Sequence, residues 1–144
     1  MVRRWRGRWW AVASSESEKT EKITINLGLV DLGQIDLLVQ EGFYTNRTDF
    51  IRTAIRSQLA TRREALDQTA ARRTLTLGSC HYTRRDLEEA RDAAQMIHIR
   101  VLGLASIAAD VSPQLALATI ASVEVLGAFR APTAVKAALA PRTA

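Results

Sequence analysis

The feature that most constrains this chain is a lone alternating segment, Lys22-Ile23-Thr24-Ile25-Asn26-Leu27, with no second strand near it in sequence. Ile23, Ile25 and Leu27 take one face and Lys22, Thr24 and Asn26 the other, the pattern of a short half-buried strand. A solitary strand leaves its backbone donors and acceptors unpaired and its apolar face uncovered. Pairing with the same segment of a second copy answers both needs. The product is an antiparallel ribbon that closes Ile23, Ile25 and Leu27 over helices and displays Lys22, Thr24 and Asn26 twice about a two-fold axis.

Two helices follow at once. Asp31-Leu32-Gly33-Gln34 predicts a start with Asp31 as cap, Leu32, Ile35, Leu38 and Val39 form an apolar stripe, and Gly42 is a stop. Thr45-Asn46-Arg47-Thr48-Asp49 predicts a second start with Thr45 as cap. Phe50, Ile51, Ala54, Ile55 and Leu59 line its apolar face, with Arg47, Arg52 and Arg56 mostly elsewhere.

The strand, helix, turn and helix of residues 22–59, and in particular KITINL and GFYTNRTDFIRTAIRSQL, resemble the ribbon-helix-helix family of the MetJ/Arc/CopG type. The resemblance implies a homodimer that inserts its ribbon into the major groove of double-stranded DNA, alternate outward side chains reading base edges. It carries base reading to Lys22, Thr24 and Asn26, whose chemistry suits guanine, the thymine methyl and adenine. It also sets the start of the second helix against a DNA phosphate, with Thr45, Asn46 and Arg47 as the contacting residues. Alternation alone fits a solvated strand face equally well, and Arg52 and Arg56 fit ordinary surface positions. The succession of elements favours DNA.

Beyond Leu59, residues 60–73 are rich in helix formers and mixed charge, a helical connector. Residues 74–144 carry an echo: Leu75-Thr76-Leu77-Gly78, Arg100-Val101-Leu102-Gly103 and Glu124-Val125-Leu126-Gly127. A helix is predicted after each, with Asp86 three residues beyond Thr83, and with Pro113 and Pro132 in first turns. The expected fold class is therefore α+β: a dimeric ribbon-helix-helix, then a small α/β repeat or solenoid-like domain of parallel strands. In that reading Leu77, Leu102 and Leu126 point inward, and each glycine lets the chain turn out of its strand. Stacked strands leave an exposed edge at each end, which suits self-assembly or a protein partner.

Composition narrows the rest. At 47% hydrophobic and 24% charged, the chain reads as folded rather than disordered. Arg3, Arg4, Arg6 and Arg8 account for most of the net charge of +5, so bulk basicity decides little. Residues 1–21 read as a disordered tail with no secretory h-region, and no apolar run is long enough to span a bilayer. The lone Cys80 excludes an internal disulfide and suits the cytoplasm.

Cys80, His81 and His98 are the soft metal-ligand candidates of the C-terminal half, and nickel-responsive members of the resembled family use such residues there. Three candidates, two of them neighbours pointing apart on a strand, fall short of a four-ligand site, so no metal or other cofactor is expected. Phosphate loops and nucleophile motifs are absent, which argues against an enzyme. The expected function is a DNA-binding transcriptional regulator, of repressor type, whose C-terminal half supports higher-order assembly. The alternatives are an antitoxin whose C-terminal half holds a toxin, and a self-polymerising structural protein.

Overall fold

The computed structural model describes residues 20–144; the stretch 1–19, most of the expected tail, lies outside the described residues. Two compact units are present. The first spans Lys22–Ala71, and the second holds Arg72–Ala144 together with Thr20 and Glu21.

In the first unit, α1 (Leu29–Gln40) and α2 (Arg47–Thr61) form a short helical pair, and α3 (Arg63–Arg72) follows as a third helix. Helix α1 begins three residues before the expected start: Gly28 is its N-cap, and Asp31 lies in its first turn. An acidic side chain there still favours the helix through the unpaired N-terminal amides. The stop at Gly42 is a complete Schellman turn. Gly42 has φ +82, its N–H donates to the Val39 carbonyl, and the Phe43 N–H donates to the Leu38 carbonyl. Lys22–Leu27 forms no strand within one chain and is exposed along its whole length.

The second unit alternates strand and helix: β1 (Thr76–Tyr82), α4 (Arg84–Asp92), β2 (Ile97–Ile107), α5 (Pro113–Thr119), β3 (Ile120–Arg130) and α6 (Thr133–Leu139). The strands make one parallel sheet in the order β1-β2-β3. Thr83 and Asp86 form a capping box on α4, and Pro113 opens α5 with Ser112 as cap. Pro132 is the N-cap of α6 rather than its first helical residue.

Alternation divides the sheet into two faces. Ile99, Val101, Ala105, Ile107 and Val123 are buried with Leu87, Ala116, Val135 and Leu139 from the three helices, which places the core on one side. None of the second unit's described helices packs on the opposite face. Leu77, Leu102 and Leu126 are paired rung by rung as the echo requires, but on this open face. Leu77 and Leu126 are 61% and 44% exposed, so the expectation that these leucines point inward is wrong. The physical reason is the register of the pleat, which gives the inward positions to their neighbours, such as Val101 beside Leu102.

The glycines also act differently from expectation. Gly78, Gly103 and Gly127 sit within the strands on one rung, at φ +125, +141 and +126. A Cβ on Gly103 would stand 2.1 Å from the Gly78 carbonyl oxygen, and one on Gly127 would stand 2.1 Å from that of Gly103. These are sites of close backbone approach across the sheet, not exits from it. The C-terminal residues fasten the far side, where Arg142 donates to the carbonyls of Leu117 and Ile120 at 2.6 Å each.

Candidate nucleic-acid interface

The six residues singled out in sequence fall into two groups, both in the first unit. Lys22, Thr24 and Asn26 lie in the extended segment ahead of α1, and all three are exposed. So are the residues between them: Ile23 is 71% exposed, Ile25 52% and Leu27 41%. Aliphatic side chains at that exposure lack the cover a stable fold gives them, and the nearby helices add to the deficit. Leu37, Ile55 and Leu59 are exposed, and only Ile35 among the described residues of the unit is a buried hydrophobic. A chain of this kind needs a second surface to close against.

The second group is the turn into α2. Asn46, not Thr45, is the N-cap: its side-chain oxygen accepts from the Asp49 N–H at 2.9 Å. Thr45 stands one residue outside the helix and donates its N–H to Asp49 Oδ2 at 3.1 Å. Both side chains are good caps, and the reciprocal bonds of Asp49 select Asn46. An edge-on contact of Tyr44 with Phe50, centroids 5.0 Å apart, packs the turn.

Among the described residues no partner is found for the amides of Arg47 and Thr48, the first-turn donors an anion would meet. The Arg47 guanidinium is engaged elsewhere. It donates to both Asp36 oxygens at 2.6 Å and so braces α2 against α1. That hydrogen bond holds the Asp36 carboxyl below its ordinary value, against an opposing effect of desolvation and with help from the Arg47 charge. Arg47 can therefore serve an anion through its backbone, with its side chain fixing the helix pair. No sequence pattern marks the Asp36–Arg47 pair, because the partners are eleven residues apart on different helices.

The soft-ligand candidates of the second unit do not converge. Cys80 faces the helices, and burial pushes its thiol pKa up. His81 and His98 lie on the open face, bonded to Ser106 at 2.7 Å and Ser122 at 2.8 Å. His98 is exposed. Among the described residues no group of three metal-ligating side chains comes together. Glu124, on the same face, accepts from Arg73 and from Arg100. Burial raises its pKa, but the two arginines outweigh that and hold it below the usual value. Sequence reasoning missed this triad because strand pairing alone brings Arg100 to Glu124.

None of the described helices is long and apolar enough to cross a membrane. No curated protein and no solved structure matches the chain. A family model does: that of the Ribbon-Helix-Helix transcriptional regulator family, over residues 18–136. The match begins ahead of the exposed segment and runs through both units into α6, so it covers far more than the helical pair. With the uncovered extended segment, the two short helices and a match of this span, the chain belongs to the Ribbon-Helix-Helix transcriptional regulator family, whose members bind DNA as dimers.

Proposed function

We propose that this protein is a sequence-specific repressor that binds operator DNA as a dimer, with a second unit that links neighbouring dimers. The carrying observation is the exposed Lys22–Leu27 segment, in which an aliphatic row and a polar row alternate with neither covered. Paired with a second copy, the aliphatic row closes over α1 and α2. The polar row then presents Lys22, Thr24 and Asn26 to base edges in the major groove. Thr45, Asn46 and Arg47 flank this reading face, and the open backbone amide of Arg47 in the first turn of α2 addresses a phosphate. Asp49 turns its carboxylate back onto the Thr45 amide, which limits its repulsion of that phosphate.

Assembly through the second unit, arranged as a short parallel repeat, gives such a repressor cooperative occupation of adjacent operator sites. An antitoxin reading draws no comparable support, because the second unit carries its own folded core and needs no toxin to order it.

The test is Asn26→Ala. Base contacts specify and phosphate contacts position, so binding to the preferred site, selected from a random pool, should weaken by about 1–3 kcal/mol. Binding to random DNA should hardly change. Equal losses on both would take Asn26 off the reading face.

A further inference from the structure

We infer that the second unit joins copies of this chain head to tail, strand β3 of one copy adding in parallel to the free edge of β1 in the next. The two outer strands of the sheet are β1 and β3. Thr76–Ser79 of β1 are exposed. On the far side, the one bridge to β3 among the described residues is at Val123, from Thr143, with the Ala144 N–H on the Val123 carbonyl. No described residue pairs with the outer side of Val125–Arg130.

The glycine rung makes these edges complementary. The Gly78 carbonyl oxygen fills the place where Gly103 would carry a Cβ, and the Gly103 oxygen does the same at Gly127. The repeat leaves one unused half at each edge. Continued by one step, the series would turn the Gly127 carbonyl outward, and Gly78 has the matching conformation with nothing within 4 Å of its Cβ position. A second copy docked on the same rung would set its Gly127 oxygen against Gly78. Every other rung then matches as well. Leu126 would extend the Leu77–Leu102–Leu126 row, Ala128 would face Ser79, and Arg130 would lie beside His81.

A contact between two different edges is heterologous and does not close on itself in pairs, so it extends beyond the two-fold dimer made by the ribbon. It gives a route to the cooperative assembly proposed above and depends on that reading only for its use on DNA. The strand contact belongs to the free protein and is tested without DNA.

The full chain in a Cys80→Ala background carries Leu77→Cys and Leu126→Cys together, and each alone. Within one chain these positions are two strands apart, about 10 Å, beyond the reach of a disulfide. Across the inferred contact they are neighbours. Mild oxidation of the double variant should give a ladder of covalent multimers on a non-reducing gel, and neither single variant should give one. The pair Ser79→Cys and Ala128→Cys repeats the test one turn of the pleat away, should the first pair disturb folding. Sedimentation of the unaltered chain should show mass rising above the dimer with concentration. Cross-linking by a single variant would reveal a self-complementary contact and overturn the inference. So would the absence of a ladder from both pairs, or a mass fixed at the dimer.

Discussion

Between Lys22 and Ala71 one hydrophobic residue, Ile35, is buried, whereas in the second unit Leu87, Ile99, Ile120, Val135 and Leu139 are wholly covered. The two units have the same kinds of residue to hide. In the second, three helices lie along one face of a sheet, and each strand finds its partner inside the chain. In the first, two short helices and an extended segment offer apolar surface on several sides, and nothing among the described residues of that unit covers it. The difference shows that one chain can carry a self-sufficient unit beside a unit that is only half of a fold. The half-built unit is the one whose residues we propose read DNA, and under that proposal its completion and its function require the same event.

The largest effect expected from breaking this contrast is in the second unit. Gly103→Val adds a Cβ where the Gly78 oxygen lies and forces a branched residue to φ +141. More than about 4 kcal/mol should be lost, enough to unfold the unit. Circular dichroism should show the helices of the first unit surviving, with dimerisation intact. Simultaneous loss of both units would mean that they fold as one.

In the first unit, Ile25→Ala should weaken dimerisation by about 2–5 kcal/mol for each chain, because the paired ribbon buries a side chain that is half exposed in the single chain. Summed over the two chains, sedimentation would register this as a shift in dissociation constant of about a thousandfold or more. An unchanged constant would place the aliphatic row in solvent in the dimer too.

The two faces of the sheet sharpen the comparison further. Ile99→Ala, in the core, should cost about 2–5 kcal/mol by thermal melting. Leu102→Ala, on the open face and partly exposed, should cost about 1 kcal/mol. Equal costs would show that the open face is covered in solution.

The smallest effect concerns pH. Asp36 titrates below its ordinary value of 3.8 because Arg47 donates to it. The folded form therefore holds its proton less tightly than the unfolded chain. The contribution of the pair is present above that ordinary value and is lost as pH falls through the lower folded one. Asp36→Asn should flatten this acid limb of the melting midpoint and change little at neutral pH, since both partners are exposed. A neutral-pH effect as large as that of Ile99→Ala would give the pair a different role.

Much of this was legible in the sequence. The ribbon segment, the Gly42 stop, the Thr83–Asp86 capping box and the Leu-Gly rung were each encoded by a few adjacent residues. What escaped depended on geometry between distant residues. The choice of Asn46 over Thr45 as cap turns on where Asp49 directs its carboxylate. The facing of Leu77, Leu102 and Leu126 turns on which pleat positions the helices cover. The glycines were read as turns because a positive φ inside a strand leaves no pattern distinct from a strand end. The Arg73–Glu124–Arg100 cluster exists only through strand pairing.

Hydrogen exchange on Lys22–Leu27 in the full chain, followed across a dilution series, bears most directly on the claim that a second copy completes the first unit. In an antiparallel pair the amides of a strand bond alternately to the partner and to solvent. At concentrations where sedimentation shows at least a dimer, alternate amides of the segment should be protected, and dilution to single chains should abolish that protection while the β2 amides stay slow. Fast exchange along the whole segment at every concentration, in a protein that remains a dimer, would contradict the account.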